Sequence, residues 1–284
     1  MNFAAAEVSA HILYYTDFMT DRHDNRYALV TGAGSGLGRC YALYLAELGI
    51  DTVLVDLPGS ELDRTIQQAR LAGTECTGFY ADLTDDAQLS GLCETVNRNY
   101  PIYILINNAG VGGTQRFTTC GPDYIDRIIL LNVRATTMLT KQLLPNLMKA
   151  PKAYILNVSS MAAFSPIGYK TVYPASKSYI HNFTRSLNEE LRHTGVSVSV
   201  VHPGPMKTNP DVTMRIERQG ICGKLGLLSP EEVARKSING LFKKKTVILP
   251  GWSNKLNRVL MRLVPTDIRL PLMSHFVARE LKTE

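Results

Sequence analysis

Seven short apolar runs, with helical stretches between them, limit what this chain can fold into more than any other feature. They are YALVT (27–31), TVLVD (52–56), CTGFYAD (76–82), IYILI (102–106), AYILNVSS (153–160), VSVSVV (196–201) and TVILPG (246–251). Most are continuous rather than alternating, so both faces of each strand are covered. That is the pattern of a parallel sheet held between helical layers. The expectation is an α/β fold with one doubly wound parallel sheet of about seven strands. No linker, repeat or low-complexity stretch divides the order, so one domain spans residues 26–251. An arm or helix at 1–25 precedes it, and a basic amphipathic extension at 252–284 follows.

The first strand runs into VTGAGSGLGR, which sets Gly32, Gly34, Ser35, Gly36, Leu37 and Gly38 between a strand and a helix. Glycines there let the backbone approach a pyrophosphate at a helix N-terminus. The strict G-x-G-x-x-G fingerprint is absent, since Arg39 stands where its last glycine falls when counted from Gly34, and the Walker pattern is absent too. The second strand ends at Asp56, 24 residues beyond Gly32. A carboxylate there accepts hydrogen bonds from a ribose diol and repels a 2′-phosphate. No Arg or Lys adjoins Asp56, which favours NAD over NADP; the alternative is that Asp56 only caps the turn LPGS.

Tyr173 and Lys177 in TVYPASKSYIHNF lie four residues apart, on one face of a helix. Pro174 suits a first helical turn, which puts Tyr173 near the positive end of the helix dipole. A phenol has a pKa of about 10. A lysine charge about 4 Å away contributes roughly 4 kcal/mol at an effective dielectric near 20, or about three pK units. That would bring the phenol toward neutrality, as acid–base work requires.

The ordered set TGAGSGLG (31–38), DL (82–83), NNAG (107–110), Asn132, SS (159–160), YPASK (173–177) and PGPMKT (203–208) resembles the short-chain dehydrogenase/reductase family over roughly residues 26–250. The resemblance implies an oxidoreductase moving a hydride between NAD(H) and a secondary alcohol or ketone. It makes Ser160, 13 residues before Tyr173, the substrate-oxygen partner in preference to Ser159. Tyr173 becomes the proton donor or acceptor. Lys177 holds the nicotinamide ribose and lowers the tyrosine pKa, and Asn132 supports a water-mediated relay behind that lysine. Asp82 and Leu83 match the adenine side, and Asn108, Ala109 and Gly110 the adenosine ribose wall. Pro203, Gly204 and Thr208 match the nicotinamide carboxamide side. An NADP(H)-dependent carbonyl reductase, a non-catalytic dinucleotide-binding regulator and a nucleotide-sugar dehydratase or epimerase stay open as alternatives.

Specificity in that family lies after the PG motif, here in a lid at about 209–228 that ends at a capping box, Ser229 with Glu232. Its apolar residues, with Met161, Phe164, Ile167 and Tyr169 opposite, suit an apolar lipid-, steroid- or acyl-like substrate. The C-terminal stretch NKLNRVLMRLV repeats apolar residues at 256, 259, 260, 263 and 264. Such a helix closes the substrate site or forms a dimer contact; with Lys243, Lys244 and Lys245 it could instead lie on an anionic membrane.

The five cysteines (Cys40, Cys76, Cys93, Cys120, Cys222) are odd in number and form no Cys-x-x-Cys pair. This implies a reduced, cytoplasmic protein without disulfides or zinc. The six histidines are scattered, so no metal site is expected. The first 25 residues lack a basic leader, and no stretch reaches the roughly 20 apolar residues of a membrane span. Residues 243–284 carry nine Lys/Arg against three Asp/Glu, which is the whole net charge of +6, so the basic balance is no nucleic-acid signature. The implied partners are a small-molecule substrate and further copies of the chain, as a homodimer or homotetramer.

Overall fold

All seven apolar runs become strands of one parallel sheet in the computed structural model, which describes residues 26–206, 214 and 227–281. The strands are β1 (Tyr27–Thr31), β2 (Asp51–Asp56), β3 (Cys76–Tyr80), β4 (Ile102–Asn107), β5 (Ala153–Val158), β6 (Val196–Val201) and β7 (Val247–Ile248), in the order β3-β2-β1-β4-β5-β6-β7. The order reverses between β1 and β4, the switch point where ligands of such sheets bind, outside the carboxyl ends of the strands.

Helices α1 (Gly36–Glu47), α2 (Leu62–Leu71) and α7 (Pro230–Phe242) cover one face. Tyr41, Leu45, Leu62, Val233 and Ile238 pack there on Val30, Leu54, Ile104 and Leu156. Helices α3 (Asp86–Asn99), α5 (Thr136–Leu147) and α6 (Val172–Glu190) cover the other. Leu89, Val96, Leu139 and Leu143 pack there on Leu29, Val53, Leu105 and Ile155. Successive strand residues therefore serve opposite cores, which is why the runs had to be continuously apolar. Ser229 caps α7 as expected: its hydroxyl accepts from the Glu232 N–H at 3.2 Å, with Pro230 opening the helix, while the Glu232 carboxylate that would complete a capping box pairs with Lys236.

Two elements depart from expectation. The long helical pattern at 122–149 is not one continuous α-helix. It runs as α4 (Pro122–Ile128), then a π-helical segment over Ile129–Ala135, then α5. The last strand pairs through only two residues, Val200 with Val247 and Val201 with Ile248. Pro250 has no N–H to extend the ladder, and Gly251, at φ 83°, turns the chain away. Helices α8 (Trp252–Leu263) and α9 (Thr266–Ala278) and a 3₁₀ turn at Arg279–Leu281 follow. The arm expected at 1–25 and most of the lid expected at 209–228 lie outside the described residues.

Candidate active site

The carboxyl edge of the sheet gathers nearly every residue singled out in the sequence. At its centre, β1 leads into the glycine turn, with Gly32 at φ 67° and Gly36 at φ 51°, and Ser35 is the extended residue before α1. Leu37 is buried beneath the turn. A methyl group on Gly38 would sit 1.9 Å from the Gly32 carbonyl oxygen, and one on Gly32 would sit 2.9 Å from Asn108 Nδ2. The backbone is thus packed too tightly for any side chain at these positions. Asn108 Nδ2 donates to the Thr31 carbonyl at 2.9 Å, and the Thr31 hydroxyl accepts from the N–H groups of Asn108 and Ala109, both at 3.0 Å. Thr31, which opens the TGAGSGLG motif but was given no role of its own, therefore ties the glycine turn to the NNAG loop.

Asp56 ends β2 as expected. Its Oδ2 accepts from the Gly34 N–H at 2.6 Å and its Oδ1 from the Leu57 N–H at 2.7 Å. The capping role and the ribose role are compatible, since each carboxylate oxygen has two acceptor sites. Ser60, also unforeseen, stands beside this carboxylate. Its Oγ is buried with no hydrogen-bond partner among the described residues, next to the space a side chain at Gly34 would take. The tight glycine cradle, a carboxylate with spare acceptor sites and an unpaired hydroxyl fit the pyrophosphate and diol of a dinucleotide. Arg39 reaches the Gly34 carbonyl at 2.5 Å and pairs with Glu61 at 2.7 Å. A guanidinium, not foreseen near Asp56, thus stands one residue's contact away from it. Asp82 Oδ1 accepts from the Thr84 N–H and hydroxyl at 2.9 and 2.7 Å, and Leu83 is buried behind it.

Tyr173 is the second residue of α6 and Pro174 the third, as the first-turn argument required. Lys177, one turn on, is 6% exposed, and its Nζ donates to the Val158 carbonyl at 3.0 Å. Burial pulls its pKa down to about 8. Among the described residues no carboxylate pairs with it. The ammonium lies 5.9 Å from the centre of the Tyr173 ring. Gly110 leaves the space between Lys177 Nζ and Asn132 Oδ1: a methyl group there would sit 3.2 and 3.0 Å from them. Gly112 likewise lies against the Tyr173 ring.

Asn132 falls in the π-helical segment, is fully buried, and makes three hydrogen bonds through its amide. Its Oδ1 accepts from the Val111 N–H at 2.8 Å, and its Nδ2 donates to the Val111 carbonyl at 2.8 Å and Ser176 Oγ at 3.0 Å. It clamps the loop after β4 to α6 next to Lys177. A π-helical insertion inside α-helices is a frequent mark of functional sites.

The two serines after β5 separate cleanly. Ser159 is 3% exposed and donates to the Lys177 carbonyl at 2.7 Å, so its hydroxyl is engaged inside the body. Ser160 is half-buried and caps the 3₁₀ turn Met161–Phe164, accepting from the Ala162 N–H at 3.1 Å. Its own hydroxyl proton stays available to a substrate oxygen. Behind it stands His202, wholly buried, whose Nδ1 lies 2.9 Å from the Ser160 carbonyl and whose Nε2 lies 2.9 Å from His181 Nδ1. A carbonyl cannot donate, so His202 carries its proton on Nδ1 and accepts from His181 on Nε2. Burial, foremost, drives the His202 pKa down to about 3. The Pro203 carbonyl accepts from the Met161 N–H at 3.0 Å, and Gly204 follows; Thr208 lies outside the described residues.

The C-terminal elements border the same edge. The Arg258 guanidinium of α8 stands 4.8 Å over the Phe164 ring. Ser274 of α9 accepts from the Gly168 N–H at 2.8 Å, and Glu280, its side chain 2% exposed, pairs with Lys170 at 3.0 Å and accepts from the Thr114 hydroxyl. The loops on either side of Tyr173, at 111–116 and 165–170, are thus fastened from the C-terminus.

Comparison with known proteins agrees with this arrangement. The family model described as short chain dehydrogenase matches residues 26–219. The ketoacyl reductase HetN of Nostoc sp. is 31% identical over 238 residues, covering 83% of this chain and 82% of its own length. The bulky-bulky ketone specific alcohol dehydrogenase of Comamonas testosteroni superposes with a TM-score of 0.70 at 28% identity, covering 84% of this chain and 93% of that one. A short-chain dehydrogenase of Sphingobium yanoikuyae in complex with NADPH gives 0.72 at 28% identity, over 84% and 96%. With its parallel sheet, glycine turn and Tyr173–Lys177 helix, the chain belongs to the short-chain dehydrogenase/reductase family of NAD(P)-binding oxidoreductases.

Proposed function

We propose that the protein interconverts a secondary alcohol and a ketone of apolar character, with NAD(H) as its cofactor. One observation carries the reading: Lys177 is a buried ammonium beside Tyr173 with no carboxylate partner among the described residues. Burying such a charge costs several kcal/mol, on the order of its desolvation, and folding alone gives no return for it. A phenol that becomes phenolate during turnover does.

A dinucleotide held by these residues would supply or take the hydride at the substrate carbon. The protein's own groups manage the oxygen. In reduction, the Ser160 hydroxyl donates a hydrogen bond to the carbonyl oxygen as negative charge grows there. Tyr173 passes its phenolic proton to that oxygen, and Lys177 stabilises the phenolate left behind. Oxidation runs the same transfers backwards. Asn132 holds Lys177 and the Gly110 loop in register and flanks the water-mediated relay expected behind the lysine.

The glycine turn, Asp56, Asp82, Leu83 and the segment from Asn108 to Gly110 bind the adenosine half in this reading. Pro203, Gly204 and Thr208 take the nicotinamide side. The Asp56 carboxylate supports NAD, because it repels a 2′-phosphate, and Arg39 is engaged with Glu61 rather than free for one. The related ketoacyl reductase and bulky-ketone dehydrogenase support a large apolar substrate. A cytoplasmic homodimer or homotetramer completes the proposal.

A screen of alcohols and ketones with both cofactors, read by NADH absorbance, identifies the substrate. Tyr173→Phe should then lower kcat by roughly 10³-fold while dinucleotide binding persists. Full turnover by that variant would overturn the mechanism. NADPH binding more tightly than NADH would overturn the cofactor assignment.

A further inference from the structure

The helix α8 is amphipathic, but its apolar stripe points away from the protein. At 100° per residue, Trp252, Leu256, Val259, Leu260 and Leu263 fall within an arc of roughly 100°. All five are exposed, with Trp252 at 78% and Leu263 at 72%. The side turned to the body carries Asn254, which is buried and donates to the Pro250 carbonyl at 2.8 Å, with Asn257 and Met261. The exposed apolar series continues through Val264 into α9 with Ile268 and Leu272. A soluble protein's surface helix normally has the opposite arrangement, so a patch of this kind marks an interaction surface.

Charge identifies what covers it. Helix α8 carries three basic residues, Lys255, Arg258 and Arg262, and no acidic one. On α8 itself, Lys255 and Arg262 are exposed along one flank of the stripe. A second copy meeting this face across a two-fold axis would set these cations near their own counterparts, with no acid on the helix to answer them. Anionic lipid headgroups answer them directly. The helix is 12 residues long, too short to cross a bilayer, and suits lying along one. Lys243, Lys244 and Lys245 do not belong to this face: they precede β7 whereas α8 follows it, so they lie at the opposite end of that strand.

We propose that the outward face of α8, continued by Val264, Ile268 and Leu272, docks on an anionic lipid bilayer. Arg258 of the same helix lies over Phe164, in the turn that Ser160 caps, so docking sets the membrane beside the carboxyl edge of the sheet.

Trp252, the sole tryptophan of the chain, lies on the stripe and reports the event without any enzymatic turnover. The full chain is titrated with phosphatidylcholine vesicles, with and without phosphatidylserine. The expected result is a blue shift of Trp252 emission and quenching by brominated acyl chains on the anionic vesicles, reversed by high salt. The double variant Leu256→Asp and Leu260→Asp changes exposed residues outside the catalytic set. It should weaken partitioning on the order of tenfold or more while dinucleotide affinity stays unchanged. No shift with anionic vesicles, or an equal shift with neutral ones, overturns the proposal. So does a blue shift that grows with protein concentration in the absence of lipid and vanishes together with a dimer in the variant, which would assign the face to a second copy. Since the readout is the tryptophan and not turnover, its failure leaves the proposed reaction standing, and a failed reaction leaves it standing in turn.

Discussion

Replacing His202 with asparagine removes a group that can take up a proton only when the protein unfolds. In the fold, His202 donates from Nδ1 to the Ser160 carbonyl and accepts on Nε2 from His181. A second proton would lie on a wholly buried ring, directed at the His181 N–H. The folded pKa is therefore held near 3 by burial, against an ordinary value of 6.5. With the folded value below the unfolded one, the unfolded chain binds the proton first as the pH falls. Stability from this residue is intact above about pH 7 and declines from about pH 6.5 toward pH 3. Linkage gives a loss of about 2 kcal/mol between pH 7 and pH 5, and about 5 kcal/mol once both states are protonated. Asparagine sets its amide nitrogen where Nδ1 stands, so the donor to Ser160 survives, while the lost ring beside Phe164 costs the same at every pH. His181, also held below its ordinary value by burial and by Arg185 and Arg258, loses its His202 acceptor in the variant, so its titration is followed separately in both proteins. Urea unfolding of wild type and His202→Asn at pH 7 and pH 5 isolates the term. The wild type should lose about 2 kcal/mol more than the variant on acidification. Equal losses would mean that His202 is protonated in the fold, and the tautomer argument would be wrong.

Ser159→Ala and Ser160→Ala should divide stability from catalysis. The first removes a buried hydroxyl bonded to the Lys177 carbonyl and should cost about 1–2 kcal/mol in urea unfolding. The second should cost about 0.5–1 kcal/mol for the lost cap of the 3₁₀ turn and lower kcat by roughly 10²-fold or more, measured on the substrate found by the screen. Gly38→Ala forces a methyl group to within 1.9 Å of the Gly32 carbonyl. It should destabilise the protein by about 1–3 kcal/mol and abolish dinucleotide binding in a calorimetric titration.

Strand positions were legible because a strand buried on both faces is apolar at most residues, and seven such runs spaced by helical stretches fit a covered parallel sheet. Tyr173, Lys177 and the glycine turn were legible because their spacing carries their geometry. What escaped was direction. The apolar spacing on α8 told which residues share a face, but not that the face is turned outward, since that depends on where Asn254 is anchored. The basic run 243–245 and the basic helix looked like one feature along the chain. A strand between them sets them at opposite ends. Thr31 and Ser60 were missed because a hydroxyl at a strand end or in a turn has no pattern of its own. The preference for Ser160 over Ser159 came from the resemblance; the sequence could not show that the Ser159 hydroxyl is spent on the Lys177 carbonyl while that of Ser160 only accepts, from the Ala162 N–H.

The wide turns over Ile129–Ala135 have a consequence for helical phase. An α-helix advances 100° per residue, and a π-helical turn holds one residue more than an α-turn. The segment therefore sets the angle between the face of α4 before it and that of α5 after it. Taking out a single residue between 129 and 135 would let the helix close into regular α geometry with every hydrogen bond made. It would also rotate the halves relative to each other by about 100°. Asn132 would then be swung out of line with Val111 and Ser176, or Leu139 and Leu143 would leave the sheet. The longer path around the helix is what lets one rod face the core with its second half and the lysine pocket with its middle.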